Sequence, residues 1–307
     1  MPPERGALSS YGFQVQSQSP LRFLRSGGGV EPLEVAEAPE PRAHPKGPPL
    51  ADWPLAGAAP GTRAALYRMD CGYEFWASDI GGYRIDLENG RIEIPHSGDE
   101  ILREQRLWGV PSILSFMRRG DLPLHSAAVE INAGAVLLAA PPRFGKTTLA
   151  LAFHQQGYRV LSEDIACCRL SPTLQLLPGP ALLRIRPDVY HGQAPPGTHV
   201  VASRPDRVFL GLDDDRKGGC APVPIAGIVF LRESAGDVRM EAAQGTVALA
   251  DLWALNFRLQ TDEGRAQSFQ QLTRLAGALP VWNLYRPLRQ DTLEATVARI
   301  VEHVDRP

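Results

Sequence analysis

Apolar and polar positions alternate with a period of two over many short stretches and follow a helical period over only a few. Tyr11–Gln16 alternates and predicts a short strand, and Tyr73–Ala77 predicts another. Tyr83, Ile85 and Leu87 share one face, Asn89-Gly90 supplies a turn that tolerates φ > 0, and Ile92 and Ile94 resume the pattern. That combination predicts a β-hairpin. Ser97, three positions before Glu100, predicts a capping box. The helical stretch behind it runs to about Arg119, interrupted at Pro111 and stopped by Gly120.

Between these elements the periodicity lapses. Residues 25–62 carry Ser26-Gly-Gly-Gly29 and prolines at 32, 39, 41, 45, 48, 49, 54 and 60, which predicts a linker or long irregular loop. The expected organisation is therefore a strand plus Pro/Gly-rich tract over 1–62, a β-rich domain with closing helices over 63–120, and a third part over 121–307.

From Leu122 the texture changes. Leu124–Ile131 predicts a strand, Asn132-Ala-Gly134 a turn, and Ala135–Ala139 a buried apolar strand. Lys146–Gln156 predicts a helix ended by Gly157, and Tyr158–Ser162 a further strand. Strand, helix and strand within so short a span predict a βαβ unit with a parallel pair, hence an α/β fold. Shorter strands follow over 165–170, 174–177, 181–186 and 225–231, and a helical C-terminal part comes last. Its final helix carries Leu293, Val297, Ile300, Val301 and Val304 on one face behind an Asp291…Glu294 cap. No internal repeat is visible.

Composition narrows the classes. Of 307 residues, 32 are Lys or Arg and 34 Asp or Glu, a net charge of −2. That balance argues against a nucleic-acid-coating protein, which needs a basic stripe to displace counterions. Gly and Pro number 29 and 28, an excess that excludes a coiled coil and predicts many turns. Uncharged runs such as Ile131–Pro142 and Gly218–Leu231 are too short to span a bilayer, and Met1-Pro-Pro-Glu-Arg5 lacks the apolar core of a signal peptide. Four cysteines, two adjacent at 167 and 168, show neither metal spacing nor a disulfide framework, which predicts reduced thiols and a cytoplasmic protein.

One segment carries chemistry. Ala140-Pro-Pro-Arg-Phe-Gly145-Lys146-Thr147 fits the phosphate-binding pattern [A/G]-x-x-x-x-G-K-[S/T], and it lies between a predicted buried strand and a predicted helix. Loop and helix N–H groups point at phosphate there, Gly145 permits close approach, Lys146 reaches the β/γ oxygens and Thr147 coordinates Mg²⁺. The expected nucleotide contacts are Ala140, Arg143, Phe144, Gly145, Lys146, Thr147 and Thr148. Pro141 and Pro142 remove two amide donors from this cradle, and Arg143 can replace them or block it. Glu163-Asp164 ends the next strand, on the sheet edge where ligands bind. One carboxylate would orient Mg²⁺ and the other take a proton from an attacking hydroxyl. By itself His125, within an apolar strand, reads more readily as a core residue than as a catalyst.

His125, a strand, a turn and strand, the loop with Lys146 and Thr147, then Tyr158-Arg-Val-Leu-Ser-Glu163-Asp164: in this order and spacing the chain resembles the HPr kinase/phosphorylase family. It looks closer still to the HPr-kinase-related proteins encoded beside peptide-modification genes, lasso-peptide clusters included. Arg119-Gly-Asp-Leu-Pro-Leu-His-Ser-Ala-Ala-Val129 is similar to their RG-x-LPLH segment. The resemblance covers about residues 66–305 and is densest over 119–166. It implies an α/β P-loop kinase domain of HPr-kinase type over 121–307 with an N-terminal β-rich domain. It also implies an ATP- and Mg²⁺-dependent Ser/Thr kinase acting on a peptide or protein, a ribosomal peptide precursor within that class, with no nucleic-acid or membrane partner and a homo-oligomer left open. Lys146 would serve ATP, Thr147 and Asp164 the Mg²⁺, Glu163 would be the base, and His125 would pack against the acidic pair and tune it.

Three departures bear on that reading. The relatives' loop is glycine-rich, and their paired Asp is Glu163-Asp164 here. Leu183-Arg184-Ile185-Arg186-Pro187 has Arg184 where the family's Leu-Glu-[I/V]-Arg-Gly carries a metal-holding Glu, which argues against phosphorylase activity and against HPr as substrate. Arg184 and Arg186 share a strand face, so both can meet an anion or simply face solvent. Arg207 and Arg286 are minor candidates for phosphate or peptide contacts, Trp253, Phe257 and Trp282 read as core, and Asp213–Lys217 reads as a solvated loop. Two rival functions stay open: a catalytically weakened nucleotide- or peptide-binding accessory protein, and a small-molecule kinase.

Overall fold

The computed structural model describes residues 7–55, 58–96, 98–190, 192–213 and 219–304. The fold is mixed α/β with several sheets, and the chain divides into two compact units, Met1–Gly120 and Asp121–Pro307.

In the first unit nine strands form one sheet: β1 (Leu8–Ser10), β2 (Phe13–Ser17), β3 (Arg25–Ser26), β4 (Glu31–Glu37), β5 (Ala51–Pro54), β6 (Arg63–Met69), β7 (Gly72–Ala77), β8 (Gly81–Asp86) and β9 (Arg91–Ile94). Their order is β3-β1-β2-β4-β9-β8-β7-β6-β5. The tract expected to be irregular over 25–62 thus contributes strands, a correction with a simple cause. Leu33 and Val35 alternate with outward positions and are fully buried, and β4 runs parallel between β2 and β9. Burial of that apolar face outweighs the local proline density, whose bulk falls in the connection between β4 and β5.

The predicted hairpin is β8/β9, with Ile85 opposite Ile92. Its loop is longer than two residues and only Gly90 is left-handed there (φ 61°), because the Asp86 carboxylate accepts from the Glu88 and Asn89 amides and organises the turn. Helices α1 (Glu100–Leu107) and α2 (Val110–Arg118) close the unit. Ser97 lies outside the described residues. The N-cap of α1 is Asp99, whose carboxylate accepts from the Leu102 amide at 3.0 Å. The helical break falls at Trp108–Gly109 rather than at Pro111, which sits in the first turn of α2, where its missing N–H costs nothing.

The second unit contains β10 (Leu122–Leu124), β11 (Ser126–Ile131), β12 (Gly134–Ala139), α3 (Lys146–Gln155), β13 (Arg159–Ser162), β14 (Ala166–Arg169), β15 (Gln175–Leu177), β16 (Leu182–Ile185), β17 (Thr198–Ser203), β18 (Val208–Leu212), β19 (Val223–Glu233), β20 (Arg239–Ala242), α4 (Gly245–Leu255), α5 (Asp262–Ala278), β21 (Val281–Arg286) and α6 (Leu293–Val304). The main sheet runs β10-β14-β15-β19-β12-β11-β13, with β21 paired to β19 and β20 to β21, and β16-β18-β17 form a separate sheet.

The expected βαβ unit is therefore corrected. β12 and β13 point the same way, but β11 lies between them, antiparallel to both. Asn132 and Ala133 are both left-handed (φ 50° and 63°) and fold β11 tightly against β12, occupying that edge. The parallel partners of this sheet come from later in the chain: β12 pairs with β19, and β19 with β21. The C-terminal part is correspondingly not only helical. Asp291, expected to cap the last helix, is engaged by Arg289 in the turn before α6.

Alternation along β12 and β19 separates two cores. Val136, Leu138 and Leu231 pack with Leu149, Phe153 and Ile300 of α3 and α6 on one face. Leu137, Ala139 and Phe230 pack with Leu252, Leu272 and Leu275 of α4 and α5 on the other. Cys167 and Cys168 are buried and form no disulfide, and Cys167 Sγ lies 3.8 Å from Asp121 Oδ2. Among the described residues no helix is long and apolar enough to cross a membrane.

Candidate functional site

Two local breaks bring the polar groups together. The stretch predicted as one strand over 124–131 is interrupted at His125, whose backbone N–H donates to the Leu255 carbonyl at 2.8 Å instead of entering the ladder. Its ring lies edge-on to Phe257. The second break is the Ala140–Gly145 loop between β12 and α3. Gly145 caps the helix in a left-handed conformation (φ 77°), and Arg143 is left-handed too (φ 72°) and exposed.

Lys146 opens α3 and is buried, at 7% exposure. Its Nζ donates to the carbonyls of Ala140 (2.7 Å) and Pro141 (3.2 Å) and lies 3.0 Å from His125 Nε2. An ammonium has no acceptor, so Nε2 accepts and the imidazole proton sits on Nδ1, 3.2 Å from Asp164 Oδ1. All three ammonium protons are thereby engaged. Burial pushes the Lys146 pKa down, against the opposing pull of Asp164 and Glu163. The prolines that remove two amide donors from the loop thus supply, through Pro141, a carbonyl for this lysine.

Glu163 and Asp164 follow β13. Glu163 Oε1 accepts from Thr147 Oγ1 at 2.7 Å, and Oε2 from Arg184 Nε at 2.8 Å. Asp164 Oδ2 accepts from Arg184 Nη2 at 2.8 Å. The Glu163 side chain is 9% exposed and that of Asp164 37%, so Asp164 is the carboxylate a ligand can reach. Burial alone would raise the Asp164 pKa, but Arg184 and the His125 hydrogen bond outweigh it and hold the carboxyl well below the usual range.

His125, Lys146, Thr147, Glu163, Asp164 and Arg184 therefore form one connected cluster. Other expected residues do not join it. Arg186 lies past the end of β16, exposed and paired with Asp188 at 3.0 Å, so the two arginines do not meet one anion. Thr148 lines a groove with Leu151, Gln155, Leu293 and Glu294 on the flank of α3. Arg207 bonds the carbonyl of its neighbour Asp206. Ala140 serves through its carbonyl, and Phe144 packs against the core. Trp253 and Trp282 pack against the two cores, as expected.

Arg286, weighted lightly on sequence, stands directly against the loop. β21 runs parallel to β19 and β12, so its last residue comes to the edge where the loop leaves β12. Arg286 is 2% exposed, donates from Nη2 to the Phe144 carbonyl at 3.0 Å and has no carboxylate partner among the described residues, while its Nε is unpartnered. The sequence signal for it is the strand pattern of Val281–Arg286, which the expectation of a helical C-terminal part does not include.

A Cβ on Gly145 would lie 2.6 Å from Arg286 Nη2, whereas Gly157, equally left-handed, has nothing within 4 Å. Gly157→Ala is expected to cost about 1 kcal/mol from backbone strain alone, and Gly145→Ala measurably more in urea unfolding. Equal losses would mean that Arg286 moves aside freely.

Mg²⁺ was expected on Thr147 and Asp164. It demands near-octahedral oxygens at roughly 2.0–2.1 Å. Here the Thr147 hydroxyl is turned to Glu163, and each oxygen of the acidic pair already has a partner, two of them guanidinium N–H groups. No group of three or more His, Cys, Asp or Glu side chains among the described residues is arranged to hold a metal. The arrangement does not fit a protein-held Mg²⁺.

No family model matches the chain, and no curated protein matches it. Among solved structures, the Hpr(Ser) kinase/phosphatase of Coxiella burnetii aligns with 59% of this chain and 95% of its own, at 12% identity and a TM-score of 0.31.

Proposed function

We propose that this protein is an ATP-dependent phosphotransferase that moves the γ-phosphoryl group to a Ser or Thr hydroxyl of a peptide or protein, a ribosomal peptide precursor among the candidates. The observation that carries this reading is the meeting of a buried lysine at a loop-to-helix junction with a His-buttressed carboxylate pair. A helix N-terminus and a lysine suit phosphate oxygens, and a reachable carboxylate suits an acceptor hydroxyl.

Lys146 and Arg184 only balance the acidic pair and leave no surplus positive charge, so phosphate binding draws on further cations. Arg286, buried without a counter-charge beside Phe144 and Gly145, is the best placed of them, with exposed Arg143 at the loop tip. Lys146 reaches phosphate by releasing its longest contact, to the Pro141 carbonyl. The acceptor hydroxyl binds Asp164, its oxygen attacks the γ-phosphorus as the bond to the β-bridging oxygen breaks, and ADP leaves. The hydroxyl proton passes to Asp164 late, as a loose transition state allows, and then to water. This reading assigns the base to Asp164 rather than Glu163, a choice supported by the engagement of the Glu163 carboxylate with Thr147 and Arg184. His125 is a positioning residue that holds Asp164 through Nδ1–H.

A second reading, an accessory protein that binds nucleotide without turnover, is favoured by the saturated Lys146 ammonium. Calorimetry with ATP, followed by transfer of γ-label to a Ser/Thr peptide library, separates the two. Binding with transfer to peptide is the expected result, and transfer to metabolites only would identify a small-molecule kinase. Binding without any transfer supports the accessory reading, and no binding overturns both.

A further inference from the structure

We propose that Arg184 takes the place of a divalent cation on the Glu163–Asp164 pair, so that the pair holds no metal ion of its own and the resting site is closed by an internal guanidinium. The inference deepens the phosphotransferase reading, since it concerns the same carboxylates, but its test is run without nucleotide.

The four carboxylate oxygens carry the inference. Thr147 and Arg184 Nε take the two of Glu163, and His125 and Arg184 Nη2 take the two of Asp164. One guanidinium therefore bridges two carboxylates through separate N–H groups at 2.8 Å each, as a metal ion would bridge them through its coordination sites. Its position is imposed by the fold. Arg184 sits in β16 directly opposite Phe209 of β18, with Leu183 and Ile185 buried on either side. The side chain cannot swing away without breaking both ion pairs.

Charge leads to the same conclusion. Two carboxylates are balanced by buried Lys146 and by the half-buried Arg184, leaving no net negative charge to draw in a dication. Burial works against the guanidinium charge, but Glu163 and Asp164 outweigh it, and the group stays protonated at every accessible pH. Unlike a bound ion, it is not lost on dilution or to a chelator. Any divalent ion taking part in turnover would then arrive on the nucleotide phosphates rather than wait in the protein.

Manganese binding to the nucleotide-free full chain, followed by the loss of the free Mn²⁺ paramagnetic resonance signal, tests this. Wild type is expected to show no site tighter than roughly 1 mM, the weak end of oxygen-ligand sites. Arg184→Gln should uncover a site at least about tenfold tighter, because a fixed positive charge in contact with both carboxylates is gone. Adding Asp164→Asn to that variant should remove the site again. A stoichiometric wild-type site abolished by Asp164→Asn would overturn the proposal, as would a folded Arg184→Gln protein that binds no more Mn²⁺ than wild type. If Arg184→Gln does not fold, the wild-type titration with and without Asp164→Asn decides. A chain that never binds ATP would sink the phosphotransferase reading and leave this result standing.

Discussion

Lys146→Met is expected to lower phosphoryl transfer by about 10²–10³-fold or more, the scale on which one preorganised charge at a developing anion acts. ATP affinity should fall as well, by at least about tenfold, since hydrogen bonds to charged groups contribute roughly 1.5–3 kcal/mol each. Folding should suffer little, because methionine keeps the buried stem and relieves the desolvation of an ammonium at 7% exposure. The pH dependence gives an independent check. Burial lowers the Lys146 pKa, so ATP affinity should decline as pH rises while still below the ordinary lysine value near 10.5. Stability should move the opposite way. In that window the unfolded chain still holds the proton that the folded chain has lost, so raising pH favours the fold. Lys146→Arg should erase the alkaline decline in affinity. Affinity that is flat through that window in wild type would place the lysine away from phosphate.

The second large effect is expected at Asp164. Asp164→Asn should slow transfer by about 10²–10⁴-fold, the usual range for loss of a positioned acid–base group, and change ATP affinity far less. Glu163→Gln should spare more of the rate and cost more stability, because Glu163 ties α3, through Thr147, to Arg184 on β16. The reverse ranking of the two rates would return the base to Glu163. Unfolding against pH supplies the structural control. A carboxyl held below its usual range stabilises the fold above its unfolded pKa, near 3.9, and loses that contribution as pH falls through the folded value. Wild type should therefore exceed Asp164→Asn in stability at neutral pH, and the difference should shrink progressively below pH ~4.

Local signals were legible where one residue's own conformational preference decides the outcome. Gly145 before Lys146 marked a loop-to-helix junction, Gly120 and Gly157 marked helix ends, and the alternation of Tyr83 to Ile94 marked a hairpin. The Leu33/Val35 alternation was equally present in the chain, but prolines around it masked a strand that only its neighbours β2 and β9 make worthwhile. Val281–Arg286 was missed for a related reason. Its strand exists because β19 offers it a parallel edge, a partner some fifty residues earlier that no local window contains.

The site divides along the same line. Its residue types and their order, His125, then Lys146 and Thr147, then Glu163 and Asp164, were determined by the sequence alone, because each lies within a few residues of a turn or helix start that fixes its backbone. What each side chain touches was decided only by tertiary structure. Arg184 read as a free cation on a strand face, yet the placing of β16 aims it at both carboxylates. Arg286 read only as a minor candidate for a phosphate or peptide contact, and it is the parallel register of β21 that buries it against Phe144. Pairing between distant charges depends on distances of a few ångströms set by strand order, and strand order follows from which apolar faces can be buried together over the whole chain.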